Sequence, residues 1–151
     1  MAELKERLRA DLNAAMRARD QVRMRTLRLA LTSITNEEVA GASARDLTDD
    51  EVVRVLTREA RKRREAAEAF SAAGRSDQAA AERAEGEVLA GYLPAQLSDD
   101  ELAALVDAAI AETGASSLSG LGQVMKTVTP RIAGRADGAR VAAEVRRRLS
   151  S

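Results

Sequence analysis

The chain contains no cysteine and no histidine. Without cysteine there is no disulfide, no thiolate zinc site and no thiol nucleophile. Without histidine the commonest general base and metal ligand is missing. Aromatic residues amount to 1%, a single Phe70 and a single Tyr92, so a platform for stacking unpaired bases is not expected. No GxxxxGK[ST] or GxGxxG stretch is present to cradle a phosphate. No run reaches the roughly 18 consecutive apolar residues that a bilayer span needs. The opening MAELKERLRADL lacks an uninterrupted apolar segment, and Glu3, Glu6 and Asp11 argue against an organelle transit peptide. A cytoplasmic protein without a membrane partner is the expectation. Catalysis would fall to carboxylates, Lys, Tyr, Ser or Thr, and among 24 acidic residues no spacing singles out a pair. No catalytic residue, metal ligand or cofactor is assigned.

What is present is the make-up of a helical protein. Apolar residues reach 45% and charged residues 32%, with Ala, Leu, Val and Arg prominent. Ala and straight side chains lose little entropy in a helix. Leu4, Leu8, Leu12 and Met16 recur every four residues and predict a first helix over 3–18. A second fits Asp20 to Val39, with Val22, Leu27, Leu31 and Ile34 as its buried line. The stretch 41–45 reads as a loop. Thr48-Asp49-Asp50-Glu51 is a capping box, in which Thr accepts from the backbone and Glu reaches back to the cap. Asp46 and its acidic neighbours lack the glycine and spacing of an EF-hand, and capping accounts for them better.

The third helix should run to Ala73 through Val52, Val53, Leu56, Ala60, Ala67 and Phe70, with Gly74 as its stop. Ser76 or Asp77 would cap a fourth helix reaching Tyr92-Leu93. Pro94 then disfavours helical geometry in the residue before it, and Ser98-Asp99-Asp100-Glu101 opens a new capping box. Leu102, Leu105, Val106, Ala109 and Ile110 give the next helix an apolar face that Gly114 closes. A sixth helix from about Ser119 buries Leu121, Val124, Met125, Val128 and Ile132, with Pro130 expected to kink or shorten it. Asp137 can cap a last helix built on Val141, Val145 and Leu149. The fold class read from this pattern is all-α. It comprises an N-terminal helical unit of about four helices, residues 1–93, followed by a small three-helix bundle, residues 94–151.

Charge balances at 24 against 24, yet it is unevenly spread. Residues 94–112 hold five acidic side chains and no basic one; residues 113–151 hold seven basic and two acidic. The basic set is Lys126, Arg131, Arg135, Arg140, Arg146, Arg147 and Arg148. Lys126 lies opposite the inward face of its helix, and Arg131 and Arg135 flank Gly134 at the following turn. Small residues there would let a phosphodiester backbone approach, and Arg suits phosphate because its planar fork makes two parallel hydrogen bonds. Arg146 to Arg148 have a second reading, as cations complementing the negative end of the last helix. Arg61-Lys62-Arg63-Arg64 spans roughly 400° of helix, so at least one of the four should turn toward neighbouring helices. The block is either a solvated charge run or a second nucleic-acid contact.

The succession TLRLALTSITNEEV, LTDDEVVRVLTREARKRREAAEAFSAAGRSD, YLPAQLSDDEL and GLGQVMKTVTPRIAGRADGARVAAEVRRRL resembles the YqeY proteins. These are similar to the C-terminal tail of the B subunit of the glutamine-dependent tRNA amidotransferase (GatB). The resemblance covers nearly the whole chain and rests on Gly122, Val124, Met125, Gly134, Arg135, Ala136 and Asp137. It implies a tRNA-binding accessory module; Gly122, Gly134 and Arg135 of the matched motif, together with Lys126, Arg131, Arg140 and Arg147 of the basic set, are the residues expected toward the phosphates. Gln123 stands where the family often has Lys, which weakens the charge there. A family label of carbon–nitrogen ligase with glutamine as amido-N-donor is not matched by catalytic residues here, and autonomous catalysis is not expected. The alternative is a protein-interaction module whose acidic face, Asp99 to Glu112, docks on amidotransferase subunits or an aminoacyl-tRNA synthetase.

Overall fold

The computed structural model describes residues 2–150, with Met1 and Ser151 outside the described residues. Seven α-helices and no strand are found among them. The helices are α1 (Glu3–Ala18), α2 (Gln21–Glu38), α3 (Asp49–Ala72), α4 (Ser76–Ala90), α5 (Asp99–Thr113), α6 (Leu121–Ile132) and α7 (Gly138–Ser150). A single 3₁₀ turn, Leu118–Gly120, precedes α6. The chain divides into two compact units, Met1–Leu93 and Pro94–Ser151, each with its own apolar core.

Helix starts follow local chemistry closely. Thr48 and Ser98 both form complete capping boxes, accepting from the backbone N–H of Glu51 and Glu101 while those carboxylates reach back. In both cases a buried leucine precedes the cap, Leu47 at 2% and Leu97 at 5% exposure. Each shares a core with the residue five positions on, Val52 and Leu102, the hydrophobic staple that fixes the entry angle of a helix. Asp20 and Asp137 cap α2 and α7 by accepting from the N–H of Arg23 and Arg140. The α1 helix has no cap of its own; the Leu4 N–H donates instead to Asp49, a carboxylate 45 residues away. Neither Ser76 nor Asp77 caps α4, which begins after Arg75 with no side-chain hydrogen bond at its cap.

In the first unit the apolar core gathers Leu8, Leu27, Ile34, Leu56 and Leu89. Positions four apart drift by 40° per step, so the stripe from Leu4 has turned by 120° at Met16. Met16 is accordingly 44% exposed, and Ala15, seven residues after Leu8, is buried in its place. The same drift leaves Val22, Leu31 and Val53 half-buried and puts Thr26, Ala30 and Val55 inside. Phe70 is half-buried rather than a core residue. The fourth helix stops at Ala90, and Tyr92 is buried just beyond it. The Tyr92 hydroxyl donates to Asp11 at 2.5 Å and accepts from Arg23 at 3.2 Å. The Arg7 guanidinium lies 4.7 Å above its ring. Burial, then the bond to Asp11, pushes the Tyr92 phenol up to about 12.

In the second unit α5, α6 and α7 each pack against the other two, burying Val106, Val124, Val128 and Val145 completely. Gly114 adopts φ 68° to end α5, the left-handed geometry that glycine reaches without steric cost. Pro130 stands two residues before the end of α6. It lacks the N–H that would meet the Lys126 carbonyl, and the helix gives out at Ala133 (φ 50°) and Gly134 (φ 79°). Shortening, not a mid-helix kink, is its effect. Backbone pairing across the unit closes there, the Leu97 N–H donating to the Arg135 carbonyl at 2.8 Å.

Candidate nucleic-acid interface

The charge separation seen along the chain becomes charge pairing in space. Arg131 of α6 holds both carboxylate oxygens of Glu112 on α5, one of them at 2.9 Å. Arg140 donates to Asp99 at 2.8 Å, and Arg148 donates to both oxygens of Asp107 at 2.8 and 3.1 Å. Arg147 and Arg148 also hold Glu144 within α7. These bonds draw Glu112 and Glu144 below the usual carboxylate range and raise Arg131 and Arg147. The second unit carries seven basic and seven acidic residues, so it is neutral as a whole. Three of the predicted contacts, Arg131, Arg140 and Arg147, are thus engaged by carboxylates rather than gathered on one cationic surface.

Two sequence spacings encode this arrangement. Asp99 and Asp107 are eight residues apart on α5, as are Arg140 and Arg148 on α7, and the partners are offset by 41 residues in both pairs. Eight residues are a little over two helical turns, so the two charges of each helix are offset by about 80° around it and both still reach the neighbouring helix. The matching ladders set α5 and α7 running in the same direction. Counting the acidic and basic halves separately hides this correspondence.

The remaining cations divide further. Arg135 directs its guanidinium at the carbonyls of Arg131 and Ile132, both at 3.4 Å, at the end of α6. There it serves the negative pole of that helix. Lys126 and Arg146 are exposed and hold neither a carboxylate nor a hydrogen-bond partner among the described residues. Lys126 sits about 160° around α6 from Val124 and Val128, as expected from the sequence. Arg146 sits about 120–160° around α7 from Arg140 and Arg148, on a flank turned away from the α5 carboxylates. It is contiguous with Arg147 and Arg148 along the chain but separate from them in its partners.

The glycines of this region differ in what holds them. A methyl group on Gly120 would lie 2.6 Å from the Ala115 Cβ, so packing requires glycine there. Gly134 is required by its φ of 79°. Gly122 lies one turn before Lys126 on the same exposed side of α6, and a methyl group added to it would meet nothing within 4 Å. Its φ is not left-handed either. Neither packing nor backbone geometry in this chain accounts for glycine at 122.

The block at 61–64 is drawn into the first unit. Arg63, 20% exposed, lies 3.2 Å from Glu85, 3.5 Å from Glu59 and 3.6 Å from Glu82. Glu85 also accepts from Arg25 at 2.7 Å, and Glu59 accepts from Ser33 at 3.0 Å. Lys62 reaches Glu59 at 3.4 Å, and Arg61 stands 3.9 Å from Glu65; Arg64 is exposed. Arg63 is the member that turns toward the neighbouring helices, and two of its carboxylates, Glu59 and Glu85, are among the most buried charges of the unit. Among the described residues no group of His, Cys, Asp or Glu side chains is placed to hold a metal ion, and no helix is long and apolar enough to cross a membrane.

No curated protein matches the chain significantly. The family model described as "Yqey-like protein" matches residues 5–149, and the chain therefore belongs to the YqeY family.

Proposed function

We propose that the protein is a tRNA-binding accessory module that contacts phosphates through the exposed side of α6 and does no chemistry on the RNA. The observation that carries this reading is Gly122 beside Lys126. A helical glycine costs up to about 1 kcal/mol relative to alanine, and nothing among the described residues requires it. A bare backbone one turn from an unpaired ammonium group suits the close approach of a phosphodiester chain. The resemblance to the amidotransferase B-subunit tail supports the same partner. Arg146 adds a second cation with no partner among the described residues, and Arg135 a third positive group beside the Gly134 turn. Shape and phosphate contacts, rather than base stacking, suit a chain whose only tyrosine is buried.

The test is tRNA affinity measured against salt. Log K should fall linearly with log salt, and each phosphate contact contributes about 0.7–0.9 to the slope. Combined Lys126→Ala and Arg146→Ala changes should flatten the slope by about 1.4–1.8. Binding that is absent, or that ignores salt, would refute the proposal. Capture of a protein partner with no RNA would favour docking instead.

A further inference from the structure

We infer that the carboxylates Asp99, Asp107 and Glu112 of α5 are built-in competitors for RNA phosphate, holding Arg140, Arg148 and Arg131 in reserve. This rests on the RNA-binding reading above and adds a control on its strength. Three features support it. First, each pair presents the guanidinium to two oxygens or to a solvated carboxylate, the same geometry a phosphate would offer. Second, the pairs are open to solvent: the arginine side chains are 31–39% exposed, and the carboxylates 53%, 98% and 53%. Ion pairs of that kind are weak and screened by salt, so a polyanion can displace them. Third, two pairs of the first unit are built differently. Lys5–Glu38 and Arg63–Glu85 have carboxylates only 11% and 9% exposed, and opening those would strand a buried charge, whereas Arg58–Glu37 in the same unit is as open as the α5 pairs.

Exchange would proceed one arginine at a time, each swapping a carboxylate oxygen for a phosphate oxygen with no change in protonation. Released carboxylates return to water, which Asp99 already faces. The unit stays neutral as a whole, and its arginines turn to a partner only in the presence of a stronger anion. Such a module binds weakly and reversibly, and RNA with phosphates at matching positions recruits more arginines than RNA without them.

The experiment compares Asp99→Asn, Glu112→Gln and Asp107→Asn with Asp100→Asn in full-length protein. Asp100 shares the first turn of α5 with Asp99 and is exposed, yet has no partner among the described residues. Its substitution therefore changes net charge as each of the others does, and helix-end electrostatics as Asp99→Asn does, without freeing an arginine. The probe is a fluorescently labelled tRNA transcript titrated at several salt concentrations, with thermal unfolding as a folding control. Asp99→Asn and Glu112→Gln should each steepen the salt slope by about 0.7–0.9 and bind about fivefold tighter at 0.1 M salt, and Asp107→Asn should gain less, because Arg148 keeps Glu144. Asp100→Asn should gain clearly less, since an unpaired charge acts only through a field screened within about 10 Å. If wild type binds and the freed variants gain no more than Asp100→Asn, the competitor role is wrong. If wild type does not bind at all, the RNA reading itself has failed and takes this inference with it.

Discussion

Replacing Tyr92 with phenylalanine removes one oxygen and leaves the buried ring in place. The oxygen donates to Asp11 at 2.5 Å and accepts from Arg23 at 3.2 Å, joining the end of α4 to α1 and α2. A hydrogen bond to a charged group contributes about 1.5–3 kcal/mol. Asp11 keeps Arg7 at 3.9 Å and partial access to water, so the lower end applies, about 1.5 kcal/mol. For a unit of this size that corresponds to roughly 6–12 °C in Tm. The pH dependence gives an independent check. The folded phenol ionises near 12 and the unfolded one near about 10. The folded state therefore binds this proton more tightly, and its contribution is complete below about pH 10 and shrinks as pH rises through 12. Thermal melts of wild type and Tyr92→Phe should differ most at neutral pH and converge between about pH 10 and 12. Equal melting points at neutral pH, or a gap that persists above that window, would refute the role given to this hydroxyl.

Other expectations concern the turn into α6 and the first capping box. Gly120→Ala should destabilise the second unit by about 1–3 kcal/mol through its clash with Ala115, whereas Gly122→Ala should leave Tm unchanged or slightly raised. Paired thermal melts decide between them, and a destabilised Gly122→Ala protein would mean that the fold itself needs this glycine. Glu51 is drawn down to about 2 by its bonds to Arg45 and Thr48. Its contribution is present above the usual carboxylate range and disappears as pH falls toward 2. Glu51→Gln should thus lose less stability than wild type on acidification over that window, as followed by far-UV circular dichroism.

Residues whose partners lie within one turn are legible in the sequence. Thr48, Ser98, Gly114 and Asp137 each act on backbone groups a few positions away, and the structure places them as their local chemistry requires. Residues whose partners lie far along the chain are not. Asp49 capping α1, Arg63 reaching Glu85 and Arg140 reaching Asp99 span 45, 22 and 41 residues, and no periodicity within a single helix announces such meetings. Burial of Glu59 and Glu85 likewise depends on which helices converge on them. For the candidate site, the position of Lys126 follows from its helix alone. The engagement of Arg131 and Arg140 does not, because it is decided by α5. Matched charge spacings between helices are the signal that marks the Asp99/Asp107 and Arg140/Arg148 ladders.

Where RNA touches the protein decides whether α6 has the role proposed for it. The most direct measurement is an NMR titration of isotope-labelled protein with a tRNA transcript at about 0.1 M salt, following backbone amides across both units. The largest changes are expected at Gly122, Gln123, Lys126 and Arg146, weakening as salt is raised. Changes centred on the helices of the first unit, or shifts indifferent to salt, would contradict the proposal.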